Sequence, residues 1–386
     1  MLVKLKYMTS GESHGKGLLG ILDGIPSGLE ISEAEIEEQL LRRQKGYGRG
    51  GRMKIETDYA EIWGGVRHGK SIGAPIGLLL KNKDWINWKN KMDINPNQKS
   101  GKKVTLPRPG HADLAGMQKY EFNDIRNVLE RASARETAMR VALGAVCKKF
   151  LKELNIKIGS HVIQIFNVKS DKKLNGDICP EMLSRSADKS TVRCIDLQKE
   201  QAMIEAIKLA KESGDSVGGV FEVIVNGLPY GLGSHVQWDR KLQARIAESV
   251  MSINAFKGIE FGTGFEQASQ LGSHVHDEIG YENDKFTRFS NNSGGIEGGM
   301  SNAQPLVIRS VMKPIPTLIK PLKSVDFFTK EKKIAHKERT DSCSVPSASI
   351  VAESMVSFVI ADAILEKFGG DNMDQIKSHI QISGKF

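Results

Sequence analysis

From Asp124 onward, Ile125, Val128, Leu129, Ala132, Met139, Leu143, Val146 and Phe150 recur at three- and four-residue steps. That spacing predicts one helix of about seven turns whose apolar face must be buried, which puts it at the centre of whatever fold forms. Arg131 and Arg135 stand four apart and are expected on one face of it, with Ser133 nearby. Ser32 and Glu35 form a capping box ahead of Ile36 and Leu40, so a second helix is expected over 33–44. Further helices are expected over 199–213, closed by Gly214, over 239–257 with Leu242, Ile246, Val250 and Ile253 in line, and from Ser347 to Lys367. FEVIVNG, starting at Phe221, reads as a strand. Strands therefore fall between long helices in a mixed α and β protein. No Pro/Ser-rich linker divides the chain, so a single domain is expected, with 81–104 and 168–192 as surface insertions.

Charge narrows the function classes. Of the 386 residues, 55 are Lys or Arg and 46 Asp or Glu, a net charge of +9. The lysine runs Lys81-Asn82-Lys83, Lys102-Lys103 and Lys332-Lys333 lie in polar stretches without interleaved aromatics, unlike a nucleic-acid surface. Arg42, Arg43, Arg49, Arg52, Arg108, Arg131, Arg135 and Arg339 instead gather in segments rich in Gly, Ser and His. Guanidinium groups so placed suit bidentate recognition of phosphate or carboxylate. The four cysteines share no CxxC spacing and read as reduced thiols. The N-terminal MLVKLKYMTSGESHG lacks an apolar signal-peptide core, and no run approaches the ~18 apolar residues of a membrane span. A cytoplasmic protein is expected, with neither nucleic acid nor membrane as partner.

Six clusters carry candidate chemistry: GESHG around His14, RRQKGYGRGGR at 42–52, RPGHAD at 108–113, ERASARET at 130–137, GGIEGGMS with KPIPT at 294–317, and RTDSCS at 339–344. Taken singly, each has a plain structural reading. A Gly-flanked histidine caps a turn, Asp341 caps the last helix, and Arg131 and Arg135 are helix-surface charges. Together they describe something else. Two histidines in Gly/Pro turns can donate protons near neutral pH, and Asp341 can relay or accept one. The arginines and a serine-bearing helix can hold phosphates. The set fits proton-coupled chemistry on a small anionic, phosphorylated substrate. GYGRGGR follows a helix rather than a strand, which weakens a dinucleotide reading, and neither a P-loop nor a GxSxG elbow is present. His274 and His276 before Asp277 and Glu278 lack an evident third ligand, so no metal site is expected.

GESHGKGLLGILDGIP, ERASARETAMRVALGA and RTDSCSVPSASIVAES resemble the hallmark segments of the chorismate synthase family, and RRQKGYGRG, RPGHADLAG, the 235–265 stretch and KPIPT do so as well. The likeness runs from about residue 7 to about 365. It implies an α+β fold: a β-α-β sandwich with helices packed between antiparallel sheets, an internal pseudo-twofold, and assembly as a homotetramer. It also implies the last common step of the shikimate pathway, the 1,4-anti elimination of phosphate from 5-enolpyruvylshikimate-3-phosphate to give chorismate, with reduced FMN required although there is no net redox change.

By the same resemblance His111 is the acid that helps phosphate depart, His14 keeps the reduced flavin in its working protonation state, and Asp341 assists removal of the ring proton through the flavin. Arg43 and Arg49 match positions for a substrate phosphate or a nicotinamide nucleotide. Substrate is preferred, because bacterial-type members generally rely on an external flavin reductase. Flavin contacts are implied for Arg131, Ala132, Ser133, Asn254, Ala255, Gly298, Lys313, Pro314, Ile315, Pro316, Thr317 and Arg339. The family often has glycine where Ala303 stands, Gly-His at Glu121-Phe122, and serine at Thr340. Two rival readings are a bifunctional enzyme that also reduces FMN with NADPH, for which the insertions look too short, and a basic nucleic-acid-binding module.

Overall fold

The computed structural model describes residues 2–51, 55–95, 102–172, 179–320, 322–338 and 340–383; Arg52 and Arg339 fall outside them. The chain opens with β1 (Lys6–Ser10), β2 (Gly17–Asp23), α1 (Glu33–Gln44), β3 (Ala60–Gly64) and β4 (Ile76–Lys81). Next come α2 (Asp113–Tyr120), α3 (Arg126–Ala132) and α4 (Thr137–Lys152). The second half contains β5 (Lys157–Ile165), β6 (Val168–Lys169), α5 (Pro180–Ala187), α6 (Leu197–Glu212), β7 (Gly219–Asn226), α7 (Leu242–Met251), β8 (Phe256–Phe261) and β9 (Leu306–Met312). It closes with α8 (Val345–Phe368) and α9 (Met373–Ser383).

Among the described residues the two largest sheets are antiparallel, ordered β1-β2-β4-β3 and β8-β9-β7-β5-β6. Leaving aside the two-residue β6, each sheet places its first, second, fourth and third strands side by side. Each half also inserts a helix between its second and third strands (α1, α7) and a long helix after its fourth (α4, α8). That shared topology is the internal pseudo-twofold. The four helices lie between the sheets, with α4 against α8 at the centre. Strand β2 shows why: Leu18 and Leu22 face the helices while Leu19 and Ile21 face outward, the period-two pattern of a half-buried strand. Gly20 lies on the inner face, where a Cβ would sit 2.5 Å from Met139 Sδ on α4.

The central helix α8 has no solvent-facing side: every residue from Val345 to Leu365 is buried. By length and a mean hydropathy of 1.8 it could cross a bilayer, contrary to the expectation from sequence, yet its apolar window is wholly enclosed by the protein. Its two buried acids staple the fold. Asp362 accepts the backbone N–H groups of Val3, Lys4 and Leu5 and pairs with Arg245. Glu353 accepts from Arg42 (2.9 Å), Lys148 (2.6 Å) and Ser160 (2.6 Å), with Arg193 3.5 Å away.

Sequence and structure part at several places. The helix expected from Asp124 to Phe150 is broken at Ser133, whose backbone is extended (φ −64°, ψ 139°) and whose Oγ accepts the Arg135 N–H. A serine that hydrogen-bonds the local backbone competes with helix continuation. Arg131 and Arg135 therefore do not share a face: Arg131 is exposed and reaches Gly11 O and Thr9 O, whereas Arg135 is buried. The helix expected to 257 ends at Met251; the chain turns through Ala255 (φ +68°), and Phe256 opens β8. Helix α9 was not anticipated. Within the two segments expected on the surface, Asn82 is buried and donates to Glu12 O and Gly15 O, and α5 packs Leu183 and Ala187 against β5.

Burial alone would raise the Glu353 carboxyl, but Arg42, Lys148 and Arg193 outweigh it and hold it well below its ordinary 4.5. The unfolded chain thus takes up a proton that the folded chain refuses, so this stabilisation is full above that value and is lost as pH falls beneath it. Glu353→Gln, which leaves buried Arg193 and half-buried Arg42 and Lys148 short of a counter-charge, is expected to cost about 3–5 kcal/mol at neutral pH in urea titration. It should also flatten the acid-side loss of stability; an unchanged pH profile would contradict the assignment.

Candidate active site

Loops from both halves enclose a cavity of about 990 Å³. His14 enters from the β1–β2 loop, Arg43 from the end of α1, and Arg49 from the turn after it. His111 comes from the loop before α2, Ala132 and Ser133 from the break after α3, and Asn254 and Ala255 from the α7–β8 turn. Lys313, Ile315, Pro316 and Thr317 follow β9, and Asp341 precedes α8. The three proposed proton-handling groups thus share one chamber. Among the described residues, Arg43, Arg49, Lys91, Arg108, Arg126, Arg135, Lys257, Lys313 and Lys337 line it against three acids, Asp84, Glu338 and Asp341, which makes it strongly cationic.

Each histidine is fixed by a carboxylate. His111 Nδ1 lies 2.5 Å from Asp113 Oδ1, and Asp113 is itself held by Arg108 at 2.8 Å. Burial alone would raise Asp113; the hydrogen bonds from His111 and Arg108 outweigh it and keep its carboxyl well below the usual range. An ionised carboxylate only accepts, so Nδ1 carries the proton in this contact. Gly110 supplies the turn before His111 with φ +77°, and its carbonyl takes the Lys313 ammonium at 2.7 Å. His14 donates its backbone N–H to Glu130 at 2.8 Å, and its Nδ1 lies 2.9 and 3.0 Å from the two Glu130 oxygens. Its ring stacks on Trp88 with centroids 3.9 Å apart.

Asp341 is less open. Its oxygens accept the Gly50 N–H (2.6 Å), the Ser344 hydroxyl (2.7 Å) and the Arg49 guanidinium (2.7 Å). In this arrangement the carboxylate holds the Gly50 turn and Arg49 in place.

The arginines are set from behind. Asp58, fully buried, lies 2.5 Å from Arg135 Nη1 and 3.5 Å from Arg43 Nη1, and so stands between two guanidiniums. Arg43 also donates to Ala134 O and Thr137 Oγ1. Burial pulls its guanidinium down to about 10, with Asp58 acting in the opposite sense, so it stays charged at neutral pH.

The chorismate synthase family model matches residues 5–365. The chain belongs to the chorismate synthase family. Chorismate synthases of Geobacillus sp. (strain WCH70) and Bacillus velezensis are 53% identical to it, and that of Listeria innocua 51%, each over 98% of this chain and 98% of its own length. A solved chorismate synthase crystal structure superposes with a TM-score of 0.80 at 43% identity, covering 100% of this chain and 98% of that one.

Of the positions matched to the family's flavin contacts, Arg131, Pro314 and Gly298 do not line the cavity; Gly298 sits at the turn of a hairpin with φ +57°. Arg339 lies outside the described residues. Sequence reasoning passed over Trp88, Lys91, Arg126, Glu130 and His336. The four-residue spacing of Arg126 and Glu130, and the Trp85/Trp88 spacing beside lysines, were the available signals.

The residues fit a flavin of this family. The volume of about 990 Å³ is at the upper end of the ~300–1,000 Å³ of ligand pockets, which suits two ligands together. Asn254 Oδ1 is buried without a hydrogen-bond partner among the described residues and can take a ring N–H. Ile253, Met312, Ile315 and Val351 give apolar wall for a flat ring, and Lys313 with the arginines can meet phosphate.

Asp58→Asn would leave Arg43 and Arg135 facing each other in the interior. The expected cost is about 3–5 kcal/mol, read as a lowered thermal midpoint. A variant as stable as the parent would show that the row is not an electrostatic unit.

Proposed function

We propose that this chain converts 5-enolpyruvylshikimate-3-phosphate to chorismate by 1,4-anti elimination of phosphate, with reduced FMN bound in the same cavity. The observation that carries this reading is the convergence of His14, His111 and Asp341 with Arg43 and Arg49 around one chamber of about 990 Å³. Reduced FMN, when bound, supplies electron density as phosphate leaves and recovers it, so no net oxidation results.

The remaining work falls to the chain. His111, with Nδ1 committed to Asp113, delivers its proton from Nε2 to the departing phosphate. The Arg108 guanidinium lies 3.1 Å from Nδ1 and 3.3 Å from Nε2 of the same ring, so its positive charge stands close to the nitrogen from which the proton leaves. Arg43, Arg49 and Arg135 bind the substrate's phosphate and carboxylates, and because Asp58 with Thr137 and Ala134 already holds Arg135 and Arg43, little ordering of those two is left to the moment of binding. As Arg49 turns to the substrate, Asp341 is released to assist removal of the ring proton. Asn254 and Lys313 orient the cofactor. Met8, Leu19 and Ile21, more than half exposed on the outer face of the first sheet, support assembly as a homotetramer. A cytoplasmic location and an external flavin reductase complete the reading.

Anaerobic incubation with dithionite-reduced FMN and 5-enolpyruvylshikimate-3-phosphate tests it. Phosphate and the chorismate absorbance should appear together, and NADPH with FMN should give no turnover until a reductase is added. Failure to release phosphate would overturn the reading. His111→Ala and His14→Ala should each slow turnover by about 10²-fold, as expected for positioned proton donors. Parent-like rates in both would remove them from the mechanism.

A further inference from the structure

The two histidines are mounted in the same way by unrelated segments. Arg108, Asp113 and His111 form a chain from guanidinium to carboxylate to imidazole Nδ1. Arg126, Glu130 and His14 form a second chain of the same kind: Arg126 Nη1 lies 3.1 Å from Glu130 Oε1, and Glu130 meets His14 Nδ1 at 2.9 Å. Asp113 belongs to the motif of its own histidine. Glu130 comes from α3, more than a hundred residues beyond His14 in the chain.

From this parallel we propose that Glu130 is the positioning residue of His14, fixing the Nδ1–H tautomer so that His14 exchanges its proton at Nε2. The inference rests on the role of His14 given above. Glu130 is only 2% exposed, which sets it apart from a helix-surface charge. It is ringed by donors. Its backbone carbonyl accepts the Ser13 N–H at 2.9 Å, and its side chain accepts the His14 backbone N–H and Arg126 and lies 2.9 Å from His14 Nδ1. A carboxylate whose neighbours all donate acts as an acceptor, which leaves the imidazole proton on the nitrogen facing it. The hydrogen bond made by one ring nitrogen, often Nδ1–H to a carboxylate, sets which nitrogen of a histidine is free to exchange a proton.

The opposite side of the ring is braced as well. Trp88 stacks on it with an interplanar angle of 21°, its indole N–H donates to Asp84 at 3.1 Å, and Arg126 sits 5.1 Å from the same indole. Lys91 lies over the outer part of that stack, 4.6 Å from the Trp88 ring. Arg126 therefore touches both the carboxylate that fixes the tautomer and the platform that fixes the ring plane. Two bonds from Glu130 and one stacked face leave the imidazole little rotational freedom.

The test uses the full chain labelled with ring-15N histidine, without flavin or substrate, and identifies the His14 signal by its loss in His14→Gln. The parent should show His14 as the Nδ1–H tautomer, and Glu130→Gln, whose amide can either donate or accept, should shift it to a mixture containing the Nε2–H form. In the elimination assay Glu130→Gln should lower kcat about tenfold or more while KM for the phosphorylated substrate changes less than threefold, the split expected when a proton-handling group is misaligned and binding is intact. An Nε2–H tautomer in the parent, which needs no variant to fold, overturns the proposal. So does an unchanged tautomer or an unchanged kcat in a folded Glu130→Gln. A parent-like rate in His14→Gln would fault the role of His14 instead, and the tautomer measurement would still decide what Glu130 does to the ring.

Discussion

Buried guanidinium groups cannot stand in a protein wall without counter-charge, because the desolvation of an unpaired ion exceeds what packing returns. This constraint organises the molecule. Asp58 stands between Arg43 and Arg135, Asp113 holds Arg108, and Glu130 holds Arg126. Deeper, Glu353 gathers Arg42, Lys148 and Arg193 beneath the central helix. The carboxylates sit behind the cations, away from the chamber or at its edge, so a cationic surface can be fixed before an anion arrives. A pocket built in this way binds without first ordering flexible side chains, which is the physical meaning of preorganisation.

The same carboxylates link the site to the fold. Glu353 lies on α8 and its partners on α1, α4 and the segment after α5, so the central helix is tied to both halves. Asp362, about two and a half turns further on, fixes the entry of β1, whose loop then carries His14. The chamber walls are therefore loops whose ends are anchored on the most buried elements. Distant parts of the chain, from residue 14 to residue 341, can meet there with defined geometry.

Much of this was legible in the sequence where one local rule governed. Helix α1 runs where its capping box and apolar spacing put it, and β7 follows its β-branched run. The cavity collects most of the motif residues because Gly, Pro and Ser beside His and Arg mark backbone shaped for a ligand. The rest depended on tertiary partners. The break at Ser133 needed a single serine hydroxyl to prevail over a long apolar period. The pseudo-twofold was invisible because GLLGILD and GVFEVIVN occupy equivalent strands and share topology rather than residues. Trp88 lay in a segment expected on the surface, and Glu130, although within ERASARET, had no role of its own until the fold set both against His14.

The central claim is that Arg43 and Arg135 are already in place in the ligand-free protein. The most direct measurement is a pair of crystal structures, ligand-free and with 5-enolpyruvylshikimate-3-phosphate and FMN bound. The account predicts substrate phosphate and carboxylates against Arg43, Arg49 and Arg135, with the Arg43 and Arg135 guanidiniums still on Asp58 in both. Anionic groups bound elsewhere, or those two arginines leaving Asp58 to reach the ligand, would contradict it.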